Sequence, residues 1–313
     1  MTKKTEINAW TRYWQADRLD SCIAGGGEAD EADVFRLWAG FLANLPADAS
    51  VLDLAAGNGA VAVRLLKAAR EADKKVSVHA VDMADIDPAQ FLRDHQETAS
   101  DIAFRGGVDI SALPFGDASF DGAVSQFGFE YADTSKAAAE MLRILNPGGR
   151  FQMLMHHKNS ALVAPNIAQI TEIDRLFSAD GVIERLTAYL SAPLTAQANA
   201  FTALEEAGQM LLNIYQAGLP RITEEIFSAV HQLVERTDLG LGVRLQAAND
   251  MAGRMKAERE RMRQLSEAAQ SAADIKTLVD TLEHAGASHI EAIEFKVGTD
   301  AALLGWLLHG HKA

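Results

Sequence analysis

The sequence predicts an α/β fold, a doubly wound seven-stranded sheet whose last strand is antiparallel, with a large all-helical insertion between strands five and six. Two observations predict this fold. Over the first 157 residues, short β-branched runs alternate with helical patterns, which requires crossover connections and a parallel sheet. The strand pattern then disappears for roughly a hundred residues and returns near the end of the chain.

The first half contains five expected strands, each a short apolar or β-branched run. They span 51–54, 76–81, 102–105, 120–125 and 150–155, and the helices between them span 60–72, 88–99 and 136–145. Asp133, Thr134 and Ser135 are candidate N-caps of the last helix. The run Asn146-Pro147-Gly148-Gly149 is expected to terminate it.

The second half begins with amphipathic helices. Ile222, Ile226 and Val230 fall at helical spacing, and a break is expected at 218–220. A helix at 273–285 follows, and then strands at 288–297 and 301–308 that must pair antiparallel because the turn between them is short. We therefore expect four regions: an N-terminal helical cap (1–47), a core (48–157), a helical insertion (158–272) and the completion of the core (273–313).

Composition excludes several classes of partner and of binding site. The formal net charge is −14, which disfavours nucleic acid and anionic membrane surfaces as partners. No run is apolar and long enough to span a membrane, and the N-terminus lacks the apolar stretch of a secretory signal. Cys22 is the single cysteine, which excludes an intramolecular disulfide and a cysteine-based zinc site. We expect a cytoplasmic protein with no metal.

Chemistry is expected where the first strand ends. Asp53 lies in that strand, and Gly57 and Gly59 follow directly before a helix, so the backbone can approach a flat or anionic ligand. Gly57-x-Gly59-x-x-Ala62 also fits the loose dinucleotide fingerprint. Asp53 is more informative, because a carboxylate would favour an ammonium or sulfonium group over a pyrophosphate.

Acids follow the next two strands as well. Asp82, at the end of the second strand, can accept both hydroxyls of a ribose. Asp109, past the third strand, can accept from an exocyclic amino group, while Ile110 offers an apolar contact to a flat ring. A ligand with a ribose and an adenine fits this series.

Taken in order, these motifs resemble the class I S-adenosylmethionine-dependent methyltransferases that act on small molecules, with a Rossmann-like sheet. The matching segments are 51–59, 81–82, 109 with 113–115, 119–125 and 145–151. The resemblance implies S-adenosylmethionine as cofactor, with S-adenosylhomocysteine as its product, and a small-molecule acceptor. The implied cofactor contacts are Asp53, Ala55, Gly57, Asn58, Gly59, Asp82, Met83, Asp109, Ile110, Ser125 and Gln126. Ala55 departs from the family's usual glycine.

Catalytic groups are expected at the carboxyl ends of strands four and five. Glu130, His156 and His157 are the titratable candidates there. A hydroxyl or protonated amine acceptor needs a base, whereas a thiol needs little help. The two adjacent histidines are expected to point to opposite faces of the sheet, which leaves only one of them in the site.

The N-terminal segment carries aromatic residues that suit a cationic ligand. Tyr13 or Trp14 is expected to fold over the cofactor, or else to anchor an amphipathic helix. Glycines 25–27 would let residues 8–30 hinge as a lid. The helical insertion is expected to shape the acceptor pocket and to form a homodimer interface.

Two other functions compete with methyl transfer. One is a nicotinamide-dependent oxidoreductase that uses the same glycine loop and Asp82. The other is a non-catalytic scaffold that binds the cofactor and uses the helical insertion as an interaction surface. Binding of S-adenosylhomocysteine or of NAD separates the first alternative from methyl transfer.

Overall fold

The computed structural model shows a seven-stranded sheet and a separate helical unit. It describes residues 10, 11, 13, 14, 19, 27–84, 100–216 and 222–313. The chain divides into Met1–Ala164 with Gln264–Ala313, and Pro165–Arg263. Cys22, the expected helix at 88–99, the expected break at 218–220 and most of the expected lid at 8–30 lie outside the described residues.

The sheet has the predicted topology. Its strands are β1 (Ala49–Leu54), β2 (Val76–Val81), β3 (Ile102–Arg105), β4 (Phe120–Gln126), β5 (Leu145–His156), β6 (Ala287–Val297) and β7 (Ala302–Lys312). Their order is β3-β2-β1-β4-β5-β7-β6. The first five strands pair in parallel, while β7 pairs antiparallel with both β5 and β6. The predicted fold class is therefore confirmed.

The helices follow the expected alternation. They are α1 (Glu28–Ala43), α2 (Ala60–Glu71), α3 (Thr134–Ile144), α4 (Asn166–Leu176), α5 (Val182–Ser191), α6 (Gln197–Gln216), α7 (Ile222–Glu235), α8 (Leu241–Ala268) and α9 (Ala272–His284), with a 3₁₀ turn at Phe129–Tyr131. Asp133 is the N-cap of α3, as predicted, and accepts a hydrogen bond from Lys136 N (3.2 Å). None of the helices in the described residues combines the length and apolar composition of a membrane span.

Both faces of the sheet are buried, which explains why its central strands are apolar throughout. On one face, Trp38 of α1 and Leu65 of α2 pack in a core that includes Leu154 of β5. On the other face, residues of α3 and α9 pack with Met153 and Met155. Successive side chains of β5 thus alternate between the two cores, and His156 shares the face of Leu154.

The expected terminator at 146–149 is part of β5 instead. Helix α3 ends at Ile144, but Leu145 already pairs with Phe120 of β4. The register then shifts, so that the next pair is Gly122 with Arg150. The intervening residues form an irregularity in which Gly148 takes a left-handed φ of 74°. The strand therefore begins earlier than the Pro-Gly-Gly run suggests.

The helical unit, Pro165–Arg263, falls within the expected 158–272 range. Its core is apolar, and Ile226 and Val230 of α7 are buried in it, as their spacing predicts. Met251 and Met255 of α8 lie in the same core. The predicted helical character of this region is confirmed.

Candidate functional site

The loop after β1 turns sharply into α2. Gly57 (φ 54°) and Gly59 (φ 84°) take left-handed conformations that glycine adopts without steric cost. Gly59 N donates to Ala56 O (2.8 Å), and Ala56 N donates to Val81 O (3.0 Å). The loop backbone therefore lies at the carboxyl edge of the sheet, beside the N-terminus of α2, where a ligand gains from exposed N–H groups.

Asp53 is buried at the base of this loop. Its side chain is fully buried, and its Oδ2 accepts from Ala62 N (3.2 Å). Its Oδ1 has no hydrogen-bond partner among the described residues. Burial, reinforced by the nearby charge of Asp82, raises the pKa of Asp53 to about 8, against the opposing effects of the Ala62 N–H and Arg64. An unmet buried acceptor at this position suits a cationic group of a ligand.

Asp82 joins the second strand to the glycine loop. Its Oδ2 accepts from Gly57 N (2.7 Å), and its Oδ1 accepts from Ala84 N (2.7 Å). Burial raises the pKa of Asp82, while these two N–H groups lower it. Each carboxylate oxygen can accept a second hydrogen bond, so the side chain can both brace the loop and bind hydroxyls.

The loop after β3 lies next to Asp82. Val108 N donates to Asp82 O (2.8 Å), which brings the following residue, Asp109, close to the end of β2. Asp109 Oδ1 accepts from Ser111 N (2.9 Å), so the carboxylate also shapes its own turn. Ile110 is buried and Met83 is half-buried. Met83, Asp109 and Ile110, the residues predicted to lie near the adenine, are therefore grouped at the carboxyl end of β2.

Trp14 covers the glycine loop. A Cβ built on Gly57 would lie 2.6 Å from Trp14 Cη2, so the indole ring touches the backbone there. Asn58 Nδ2 donates to Trp14 O (2.8 Å), and the ring of Tyr13 meets that of Trp14 edge-on at 5.0 Å. Trp14 thus lies against the loop, while the expected contact of Tyr13 or Trp14 with the cofactor stays a prediction.

A small cavity of about 20 Å³ remains beneath Trp14. Its lining includes Trp14, Asp53, Ala55, Gln126 and Phe127. Ala55 (φ 53°) and Phe127 (φ 55°) are non-glycine residues in left-handed conformations. Backbone strain of this kind, about 1–3 kcal/mol per residue, persists where the surrounding structure enforces it and is frequent at functional sites.

The end of β4 is tied to the loop. Ser125 Oγ donates to Leu54 O (2.8 Å), and Gln126 Oε1 accepts from Trp38 Nε1 (2.9 Å). A Cβ on Gly128 would lie 2.6 Å from Ala55 Cβ, so the two strand ends are in close contact. Ser125 and Gln126 thus support the site from the neighbouring strand.

Glu130 and His156 form a buried pair. Glu130 Oε1 lies 2.7 Å from His156 Nδ1 and also accepts from His156 N (2.7 Å). The ring of Phe127 is 4.5 Å from that of His156, with an interplanar angle of 31°. Phe127 also lines the cavity at the glycine loop. Its ring therefore lies between that cavity and the pair of Glu130 and His156.

His157 lies elsewhere. Its ring stacks on that of Trp306 at 4.7 Å, and its Nδ1 accepts from Asn159 N (2.9 Å). Trp306 packs against the core on the other face of the sheet from Leu154. The structure therefore brings Glu130 together with His156 and not with His157, in accordance with the alternation of side chains along a strand.

Two supporting residues, Trp10 and Phe104, were not predicted. Trp10 packs edge-on against Tyr131 at 5.4 Å, and its Nε1 donates to Gln264 Oε1 (2.7 Å). Phe104 of β3 covers Gly59, where a Cβ would overlap its ring. These contacts join residues far apart in the sequence, so no local motif signals them. The only clue for Trp10 is its place in the aromatic N-terminal segment.

A family model described as a methyltransferase domain matches residues 51–149. This range holds the glycine loop, Asp82, Asp109 and Glu130. The chain therefore resembles methyltransferases over about a third of its length. The matched family is the methyltransferases and not the nicotinamide-dependent oxidoreductases, the alternative that the glycine loop alone left open. Trp14 and His156 lie outside the matched range, so they are features of this chain beyond the shared domain.

Curated relatives are similar to about a third of the chain. Demethylmenaquinone methyltransferase of Deinococcus radiodurans is 37% identical over 105 residues, which are 33% of this chain and 42% of the relative. The ubiquinone/menaquinone biosynthesis C-methyltransferase of Cronobacter sakazakii is 32% identical over 134 residues, 40% of this chain and 51% of the relative. The chain thus spans about half or less of these relatives' length.

Solved structures also match the chain. A putative S-adenosylmethionine-dependent methyltransferase from Methanococcus maripaludis aligns with 100% of this chain and 96% of its own, with 13% identity and a TM-score of 0.48.

Within the described residues, no group of three or more His, Cys, Asp and Glu side chains is arranged to hold a metal ion.

Proposed function

We propose that the protein transfers a methyl group from S-adenosylmethionine to a small-molecule acceptor and releases S-adenosylhomocysteine. The observation that carries the proposal is the buried Asp53 Oδ1, which has no hydrogen-bond partner in the described part of the chain. It lies at the base of a glycine loop, with Asp82 at the end of the adjacent strand. The cofactor has a cationic amino acid end and a ribose, which are the groups that these two carboxylates suit.

The residues present fit this cofactor. Asp53 would face its ammonium group, Gly57 and Gly59 would let the amino acid end approach the backbone, and Asp82 would accept from the ribose. Asp109 and Ile110 would hold the adenine. When bound, the cofactor supplies a methyl group that is already activated by the positive charge on sulfur, so the protein's main tasks are alignment and exclusion of water.

The relatives support the donor half of the proposal. The family model covers the segment with Asp53, Asp82 and Asp109, and both relatives are named as methyltransferases. The net charge of −14 supports a small-molecule acceptor, since it disfavours nucleic acid. The acidic composition and the lack of a membrane-spanning helix in the described residues are compatible with the cytoplasm, which we propose as the location.

Calorimetry tests the cofactor. S-Adenosylmethionine and S-adenosylhomocysteine should bind, whereas NAD should not; tight binding of NAD alone would overturn the proposal. Asp82→Asn should weaken binding of S-adenosylhomocysteine by about 1–3 kcal/mol, because a charge-assisted bond to the ribose is lost. The matched control is Asp101→Asn, which removes an exposed ion pair with Arg70 and should leave the affinity unchanged.

We also propose a homodimer formed through the helical unit. That unit exposes large apolar side chains, including Leu194 (86% exposed) and Ile167 (72% exposed), and amphipathic helices with such residues commonly pack on a partner. Sedimentation velocity at two protein concentrations, with a Leu194→Gln variant for comparison, tests this assembly. A monomer at both concentrations would contradict it.

A further inference from the structure

Gln126, the last residue of β4, lies beside Asp53 at the carboxyl edge of the sheet. Asp53 of β1 pairs with Val124 of β4, and Gln126 follows Val124 by two residues, so the side chains of Asp53 and Gln126 point to the same face. Strand geometry separates their Cα atoms by about 8 Å. Both residues line the cavity beneath Trp14. An acid and an amide therefore meet where the amino acid end of the cofactor is proposed to lie.

Trp38 of α1 fixes the orientation of this amide. Its indole is fully buried, and its Nε1 donates to Gln126 Oε1 (2.9 Å). An indole nitrogen can only donate, so the amide oxygen must face Trp38. With the amide reversed, two N–H groups would face each other and the buried indole would lose its hydrogen bond. The amide nitrogen, Nε2, is therefore the atom turned away from Trp38.

The position of Gln126 differs from that of a simple acceptor for a buried indole. Trp38 packs in the core with residues of α2 and β5 and does not line the cavity, whereas Gln126 is half-buried and lines it. The amide nitrogen carries two hydrogens, so one of them can serve a ligand whatever the other contacts. Gln126 can thus accept from the core and donate towards the cavity.

The cavity has an acidic side chain but no basic one. Among the described residues that line it, Asp53 is the charged side chain, and neither Lys nor Arg is present. The amino acid end of S-adenosylhomocysteine carries an ammonium group and a carboxylate on the same carbon atom. Asp53 suits the ammonium group but, when ionised, repels the carboxylate. The carboxylate therefore needs a neutral donor, and hydrogen bonds to a charged acceptor are the stronger kind.

Two of the described side chains in this lining carry N–H groups, Trp14 and Gln126. Trp14 covers the glycine loop, and its ring must shift before a ligand can enter. Gln126 is held in place by Trp38. A donor that is already oriented loses less conformational entropy when it binds a ligand, so Gln126 is the better suited of the two.

We propose that Gln126 Nε2 donates a hydrogen bond to the carboxylate of the cofactor's amino acid end. Trp38 acts as a positioning residue, because it holds the Gln126 amide in the orientation that this bond requires. The inference rests on the proposed function and assigns the two charged groups of the amino acid end to two residues. Asp53 binds the ammonium group and Gln126 binds the carboxylate, so the site selects an amino acid over a simple amine.

A pair of ligands isolates the carboxylate. S-Adenosyl-3-thiopropylamine keeps the adenosine and the ammonium group of S-adenosylhomocysteine but lacks the carboxylate. Calorimetry on the full-length protein, by displacement where binding is weak, gives both affinities. The wild type should bind S-adenosylhomocysteine roughly 10- to 100-fold more tightly than the amine. Equal affinities would overturn the inference, whereas a failure of S-adenosylhomocysteine to bind at all would instead overturn the proposed function.

Two variants test Gln126. Gln126→Glu keeps an oxygen that accepts from Trp38 and replaces the donor by a second acceptor, and Gln126→Met removes both donor and acceptor without adding charge. Each should weaken binding of S-adenosylhomocysteine by roughly tenfold or more and leave the affinity for the amine equal or higher. An equal loss for both ligands, or no loss for either, would overturn the inference. Gln209→Glu, the same change at an exposed glutamine, should preserve both affinities.

Trp38→Phe tests the positioning role, since it keeps a ring in the core and removes the N–H. The amide can then turn, so the preference for S-adenosylhomocysteine over the amine should fall, though by less than in Gln126→Met. In the Gln126→Met protein, the same change should leave that preference unaltered, because no amide remains to be oriented. A purely structural indole would lower stability without changing the preference. That result in a variant shown to be folded by circular dichroism would overturn the role of Trp38.

A spectroscopic readout observes the amide itself. In protein labelled with ¹⁵N-glutamine, the side-chain NH₂ signals of Gln126 are identified by their loss in Gln126→Met. Saturating S-adenosylhomocysteine should move at least one of these signals further than the saturating amine does, because only the first ligand brings an acceptor to Nε2. Equal shifts with the two ligands would contradict a hydrogen bond from Gln126 to the carboxylate.

Discussion

The indole ring of Trp14 lies directly against the backbone of Gly57, although the two residues are 43 positions apart in the sequence. The contact closes the glycine loop at the point where a ligand would approach the backbone. It is reinforced by the hydrogen bond from Asn58 Nδ2 to Trp14 O.

Gly57→Ala is expected to destabilise the protein for two reasons. Its φ of 54° is strained for an L-residue, at about 1–2 kcal/mol, and the new Cβ would overlap Trp14. Gly107→Ala is the matched control, because Gly107 has φ 71° and no atom of the described residues lies within 4 Å of its Cβ position. Chemical denaturation should show a larger loss for Gly57→Ala than for Gly107→Ala.

The double variant Gly57→Ala with Trp14→Ala separates the two causes. If the overlap with the indole contributes, Gly57→Ala should lower the free energy of unfolding less in the Trp14→Ala protein than in the wild type. Equal losses in the two proteins would show that the indole ring moves aside without loss of stability and that backbone strain alone is responsible.

Trp14 should move when the cofactor binds. The cavity of about 20 Å³ beneath it holds no more than about one water molecule, so the amino acid end of S-adenosylhomocysteine can enter only if the ring shifts. Adding S-adenosylhomocysteine should therefore change the tryptophan emission. Trp14→Phe should remove most of that change, while Trp306→Phe, which alters the ring stacked on His157, should preserve it. An emission change that survives Trp14→Phe in full would contradict this prediction.

Arg143 should stabilise the loop that carries the adenine-side residues. Its guanidinium pairs with Glu140 through Nε (2.8 Å) and donates to the carbonyls of Phe115 (2.9 Å) and Leu113 (3.2 Å). Its Nη1 also donates to Asp117 Oδ1 (2.8 Å). The hydrogen bonds to Glu140 and Asp117 raise the pKa of Arg143. Arg143→Lys keeps the charge but cannot form the planar set of bonds.

We expect Arg143→Lys to lower the free energy of unfolding by about 1–3 kcal/mol. Lys136→Arg is a suitable control, because it changes an exposed cation on the same helix. If Arg143→Lys has the same free energy of unfolding as the wild type, the loop keeps its shape without the hydrogen bonds of the Arg143 guanidinium.

The elements of the fold could be predicted because their signals are local. Asp53 and Asp82 fall in or directly after apolar strands, and Gly57 and Gly59 precede an amphipathic helix, so position along the chain fixes their place at the sheet edge. Parallel pairing then brings the two acids together. The start of β5 was missed because the pairing of Leu145 with Phe120 overrides the local preference of the Pro-Gly-Gly run.

The parts that could not be predicted depend on how distant segments pack. Glu130 and His156 were both candidates, but their 2.7 Å contact depends on the 3₁₀ turn at Phe129–Tyr131 lying over the end of β5. The stacking of His157 on Trp306 likewise depends on the antiparallel pairing of β7 with β5. No spacing rule in the sequence selects one histidine over the other.

The raised pKa of Asp53 makes stability depend on pH in a defined direction. In the unfolded chain the carboxyl loses its proton near pH 3.8, whereas in the folded protein burial holds the proton until about pH 8. Between these values the unfolded state binds fewer protons than the folded state, so the free energy of unfolding falls as pH rises, by at most about 1.4 kcal/mol per pH unit.

Asp53→Asn removes this titration and keeps an oxygen that can accept from Ala62 N. The stability of the wild type relative to Asp53→Asn should therefore decrease steadily from pH 4 to pH 8, as measured by denaturant unfolding. Because a cationic ligand favours the ionised carboxylate, S-adenosylhomocysteine should also release a proton when it binds the wild type at pH 7. Calorimetry in buffers of different ionisation enthalpy measures that release, and an equal release from Asp53→Asn would assign the proton to another group.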